Sequence, residues 1–126
     1  MQGRSLNAVK GLFTVALVSV LSAATISCAK GKAELSPAAK AGQKLFDDNC
    51  AMCHYADQTN TKIGPGLKGI LKNKELPFSH KPATVTNVRE QIEKGNPDAK
   101  PMPMPPFGSK FSAKQLANLM AYLQTL

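Results

Sequence analysis

The chain has 126 residues, 43% of them hydrophobic, with 16 Lys and Arg against 8 Asp and Glu and a formal charge of +8. That length leaves room for one domain. The lysines are scattered, and only Lys68, Lys72 and Lys74 cluster. The charge therefore reads as steering toward acidic protein partners and not as a nucleic-acid surface.

The N-terminus stands apart. Arg4 and Lys10 are followed by an uncharged run from Gly11 to Ser27 whose middle is GLFTVALVSVL. A basic start, a short apolar stretch and small residues behind it predict an export signal over residues 1–27. The run is diluted by Thr14, Ser19, Ser22 and Thr25, which makes it marginal as a membrane span, since spanning takes about 20 apolar residues. An uncleaved anchor remains the alternative. Removing the segment takes only two basic residues, leaving 14 against 8 acidic, a balance of +6. Three cysteines is an odd count for an exported protein. Cys28, in TISCAK, resembles the lipid-bearing first residue of a bacterial lipoprotein, although Thr25 stands where Leu is more usual. Ordinary cleavage after Ala24 or Ala29 competes with lipidation.

Residues 28–35 form a polar tether. Ser36-Pro37 then offers an N-cap with Pro at the first helical position. Ala38, Ala41, Gly42, Leu45 and Phe46 recur on one helical face, predicting an amphipathic helix to about Asn49. It leads directly into CAMCH. After a loop ending in IGPGL, a brief helical turn places Leu67, Ile70 and Leu71 together. Segment 72–84 reads as loop, broken by Pro77 and Pro82. Thr86 is the predicted cap of a second helix, with Val88 and Ile92 inward and Gly95 as its stop. Four prolines in residues 101–106 impose an extended, stiff path. The last helix is the best specified: Ser112 and Gln115 make a capping box, and Phe111 can staple onto Leu116. Leu116, Leu119, Met120 and Leu123 form its buried stripe, with Tyr122 on the flank. No stretch alternates, so the expected fold is all-α, three to four short helices with long loops, over residues 36–126.

The chemistry centres on residues 50–54, CAMCH. Two thiols separated by two residues, with an adjacent His, have the spacing of c-type haem attachment: Cys50 and Cys53 add to the vinyl groups and His54 ligates iron. Attachment of this kind takes place outside the bacterial cytoplasm, in agreement with the export signal. The rivals are weaker. A thiol-redox pair needs a βαβ setting, and no strand pattern exists. A zinc site would have to recruit His80 as fourth ligand to Cys50, Cys53 and His54. For the second axial ligand the proline-rich stretch offers Met104 and Met102, with His80 as a third candidate. Met52 and Met120 read as packing residues.

Taken together, CAMCH, IGPGL at 63–67, MPPF at 104–107 and Tyr122 in the closing helix resemble the class I monohaem cytochrome c family over about residues 38–126. The resemblance implies the cytochrome c fold around one covalent haem c and its iron. It implies that His54 is the proximal ligand and that its Nδ1 donates to the Pro65 carbonyl. It selects Met104 as distal ligand, with Met102 as the alternative. It brings Gly42 and Phe46 against the closing helix near Leu119 and Tyr122, and it leaves the role of segment 72–84 unspecified.

Iron ligated by His and Met has no open position for a substrate. The expected protein is thus an electron carrier and not an enzyme, periplasmic and tethered to the membrane if Cys28 is lipidated. It would be a monomer that meets redox proteins transiently. The alternatives are a peroxidase-like or gas-binding haem with a labile Met, or the haem subunit of a larger oxidoreductase. Arg89 is the one arginine left after signal removal, and no distal His–Arg pair is evident.

Overall fold

The computed structural model describes residues 34–126. The export segment, Cys28 and most of the tether lie outside the described residues. Three helices are present: α1 (Pro37–Asn49), α2 (Val85–Lys94) and α3 (Ala113–Leu123), with a 3₁₀ turn at Ile70–Lys72. Among the described residues there is no strand, only isolated bridges at Glu75–Pro82 and Asn96–Met104. The all-α expectation holds. No helix of the described residues is long and apolar enough to cross a membrane.

The Ser36 hydroxyl accepts the Ala39 N–H at 3.2 Å, and Pro37 occupies the first turn, where its missing N–H leaves no bond unmade. The helix then buries a face one step round from the predicted one. Ala39, Gly42 and Phe46 are buried, Leu45 is half-buried, and Ala38 and Ala41 face solvent. The reason lies across the interface. A Cβ on Gly42 would collide with the Asn118 carbonyl of α3, so the glycine marks where the two backbones touch, and Ala39 and Phe46, about one turn to either side, share its buried face.

At that contact the Phe46 and Tyr122 rings meet at 5.6 Å, tilted by 56°. Tyr122 is only 6% exposed. It belongs to the core and not to the flank of α3, because the tilted pairing with Phe46 draws it in. Phe46 and Leu119 are the most deeply buried large side chains, each contributing roughly 1.5–3 kcal/mol by burial. The predicted capping box at α3 is complete: Ser112 Oγ accepts from Gln115 N at 3.3 Å, and Gln115 Oε1 accepts from Ser112 N at 2.9 Å. Phe111 and Leu116 join the same core cluster.

Helix α2 begins earlier than predicted. Thr84, extended at φ −95° and ψ 158°, is the cap, and its hydroxyl accepts from Asn87 N at 3.2 Å. Thr86 sits in the first turn. Val88 and Ile92 are buried as expected, and Gly95, at φ +70°, ends the helix. That left-handed residue permits the chain to reverse toward the proline-rich segment.

Candidate haem site

The end of α1 hands the chain to Cys50 through a continued helical turn, in which the amides of Cys53 and His54 both bond the Cys50 carbonyl at 2.9 Å. This tight turn holds the two thiols near one another, and neither forms a disulfide. Burial, reinforced by the neighbouring Cys53, pushes the Cys50 thiol up to about 11, while Lys110 opposes the shift. An unattached Cys50 is therefore a neutral thiol at neutral pH.

His54 is fixed from behind. Its Nδ1 lies 2.8 Å from the Pro65 carbonyl oxygen. Because a carbonyl only accepts, Nδ1 carries the proton and Nε2 keeps its lone pair for a metal. The loop that provides the carbonyl is itself tied down, with Gly64 N donating to the Cys53 carbonyl at 2.8 Å and Leu67 N to the Tyr55 carbonyl at 2.8 Å. Gly64 has no room for a side chain, since a Cβ would run into the His54 ring. The IGPGL sequence thus supplies two things: space beside the imidazole and an acceptor behind it.

The proline-rich segment is fastened differently. Met104 and Asn96 exchange both backbone hydrogen bonds at 2.9 Å, Phe107 N donates to the Ile92 carbonyl at 2.9 Å, and Gly108 N to the Glu93 carbonyl at 3.0 Å. Residues 104–108 are thereby stitched to the C-terminal end of α2. Pro101, Pro103, Pro105 and Pro106 have no N–H to give, so within 101–106 only Met102 and Met104 retain donors. Met104 uses its donor and packs against the core. Met102 is 56% exposed.

These segments border one cleft of about 330 Å³, whose lining includes Cys50, Cys53, His54, Pro65, Met102 and Met104. The remainder of the wall is largely apolar, with Phe46, Ile70, Leu76, Val88, Ile92 and Leu119 among it. Such a volume and lining suit a flat apolar cofactor held by a few placed groups. The donor set suits haem in particular: two unpaired thiols, an imidazole with Nε2 free, and the thioethers of Met52, Met102 and Met104 border the same space. His80 is absent from that lining and instead approaches the Glu75 carboxylate at 3.6 Å on the surface. Among the described residues no three His, Cys, Asp or Glu side chains converge as a metal cluster, so the zinc arrangement through His80 does not form. Arg89 pairs with Glu93 at 2.9 Å along α2 and does not border the cleft.

Sequence reasoning left several bordering residues unremarked, among them Leu76, Phe78, Gln91 and Ala99. Phe78, from segment 72–84, lines the cleft beside Pro77 and Leu76. Nothing in local periodicity signals this, because the segment is irregular. No curated protein matches the chain. The family model described as cytochrome c matches residues 39–126, well over half of the sequence. This chain therefore belongs to the cytochrome c family, proteins that bind haem and transfer electrons.

Proposed function

We propose that the protein is a monohaem electron carrier working outside the bacterial cytoplasm, with His54 and Met104 as axial ligands to a single haem c. The observation that carries the reading is the convergence of Cys50, Cys53, His54 and Met104 on one apolar cleft. When bound, the haem supplies a one-electron ferric/ferrous couple. The chain's residues do the rest. Cys50 and Cys53 hold the ring covalently, and His54 presents Nε2 with its other nitrogen committed to Pro65. Met104 offers a soft sulfur that favours the ferrous state. With His54 and Met104 both holding the iron, no coordination position would remain for a substrate. The apolar lining limits water and lowers the local dielectric.

Partners are other redox proteins, met briefly and drawn by the basic surface toward acidic patches. The protein acts as a monomer in the periplasm, held at a membrane if Cys28 is lipidated. Mass spectrometry of the mature N-terminus checks the last point: a lipid on Cys28 supports tethering, and a start at Thr25 or Lys30 removes it.

Visible spectra of the holoprotein test the carrier reading. A low-spin c-type haem is expected in both oxidation states, with a weak thioether–iron band toward the red when oxidised. A high-spin spectrum that shifts with peroxide or carbon monoxide would instead make the protein a peroxidase-like or gas-binding haem protein.

A further inference from the structure

The segment between the 3₁₀ turn and α2 is built as a small hairpin. Leu76 N donates to the Lys81 carbonyl at 2.8 Å and Ala83 N to the Lys74 carbonyl at 3.3 Å, on either side of the Glu75–Pro82 bridge. Its two feet are buried, Leu76 at 6% and Ala83 at 8% exposure. The hairpin is therefore anchored to the core at Leu76 and Ala83, while most of its tip, residues 77–80, is exposed.

At that tip the backbone does something uncommon. Phe78 has φ +70° and His80 φ +52°, while the other left-handed positions among the described residues are Gly69 and Gly95. A bulky residue in this region is strained and persists only where its surroundings impose it. Glycine or asparagine would serve the turn better, so the turn alone does not account for phenylalanine. The side chain also lacks a ring partner among the described residues, whose aromatic pairs are Phe46–Tyr122 and Phe107–Phe111. The protein covers half of it, leaving 50% exposed, and it borders the cleft that Cys50, Cys53 and His54 border.

We infer that Phe78 is a haem-covering residue: the 74–83 hairpin presses its ring onto the bound cofactor, closing the crevice to water and raising the haem's midpoint potential. The physical link is dielectric. Ferric haem carries one more positive charge than ferrous haem, and excluding water destabilises the more charged form. Hydrophobic cover of a metal group acts on its potential in this sense. The inference rests on the proposed seating of haem in this cleft, and it gives segment 72–84 a function.

The left-handed backbone makes the test clean, because Phe78→Gly removes the ring while suiting the turn. Full-length holoprotein carrying Phe78→Gly should keep its covalent haem, show a lower midpoint potential and autoxidise several-fold faster in air. Phe78→Tyr, which keeps the ring, should stay close to wild type in both readings. Phe78→Ala gives the same comparison should glycine loosen the hairpin. Potentials and autoxidation rates equal to wild type in both the glycine and alanine variants would overturn the inference. The wild-type spectrum alone decides the carrier reading, whereas the difference between wild type and variant decides Phe78.

Discussion

The two segments that carry the proposed iron ligands are built on different plans. Residues 50–67 hold His54 through short-range bonds, His54 to Pro65 spanning 11 positions and Leu67 to Tyr55 spanning 12. Residues 96–108 hold Met104 by borrowing the end of α2, through paired bonds to Asn96 and further bonds to Ile92 and Glu93. The His54 side is a self-contained turn, and its geometry follows from a handful of neighbouring residues. The Met104 side is a strap with little structure of its own, positioned by what it is fastened to. A self-contained turn positions His54, and fastening to the end of a neighbouring helix positions Met104.

Substitutions on either side should expose this difference. The largest effect is expected at Gly64. A methyl group there meets the His54 ring, so Gly64→Ala should tilt the imidazole or break its bond to Pro65. Holoprotein yield and low-spin character should both fall steeply, as read from the absorption spectrum of purified protein. If Gly64→Ala is spectroscopically silent, the His54 side is more pliable than its bonding suggests.

On the strap, Met104→Ala should leave the haem covalently attached, as judged by its survival through acid–acetone extraction. It should abolish the thioether–iron band and lower the midpoint potential. Met102→Ala should change neither, because Met102 is 56% exposed and Met104 is the methionine packed against the core. The reverse outcome would hand the ligand role to Met102 and shift the functional register of the strap by two residues.

The smallest effect tests the fastening at its far end. Thr84→Ala removes the cap of α2 and should destabilise the holoprotein by about 1 kcal/mol in denaturant titrations. Thr86→Ala, within the first turn, should cost no more than a few tenths of that. Since α2 carries the bonds to the strap, the Thr84 variant should also weaken the thioether–iron band slightly at elevated temperature, before global unfolding.

What could be read in advance follows the same division. The CAMCH attachment residues, the Ser36-Pro37 entry to α1 and the Ser112/Gln115 box depend on residues at most four apart, and such signals survive in sequence. The features that escaped reading depend on partners far along the chain. The buried face of α1 is set by Asn118 touching Gly42, so periodicity within α1 could not find the right rotation. Tyr122, on the flank of α3 by local periodicity, is drawn inward by Phe46, 76 positions earlier, a meeting that only the family resemblance implies. Thr84 and Thr86 are both plausible caps locally, and the choice falls to Thr84 where the hairpin from Lys74 to Ala83 ends. Phe78 is the extreme case. Its place on the cleft follows from a hairpin whose pairing leaves no periodic trace, and from a backbone conformation that its own residue type disfavours.

The bridge between Asn96 and Met104 has a consequence for how readily the strap is organised. Its reciprocal bonds close a ring of chain from 96 to 104 that contains Pro97, Pro101 and Pro103. Closing a short loop forfeits conformational freedom, but proline has already removed part of that freedom from the unfolded chain. The ordering penalty for presenting Met104 is thus reduced before any metal bond forms. A thioether is a weak ligand for iron, and if Met104 takes the proposed role, its tether in so restricted a ring would keep the sulfur at high local concentration whenever the bond broke.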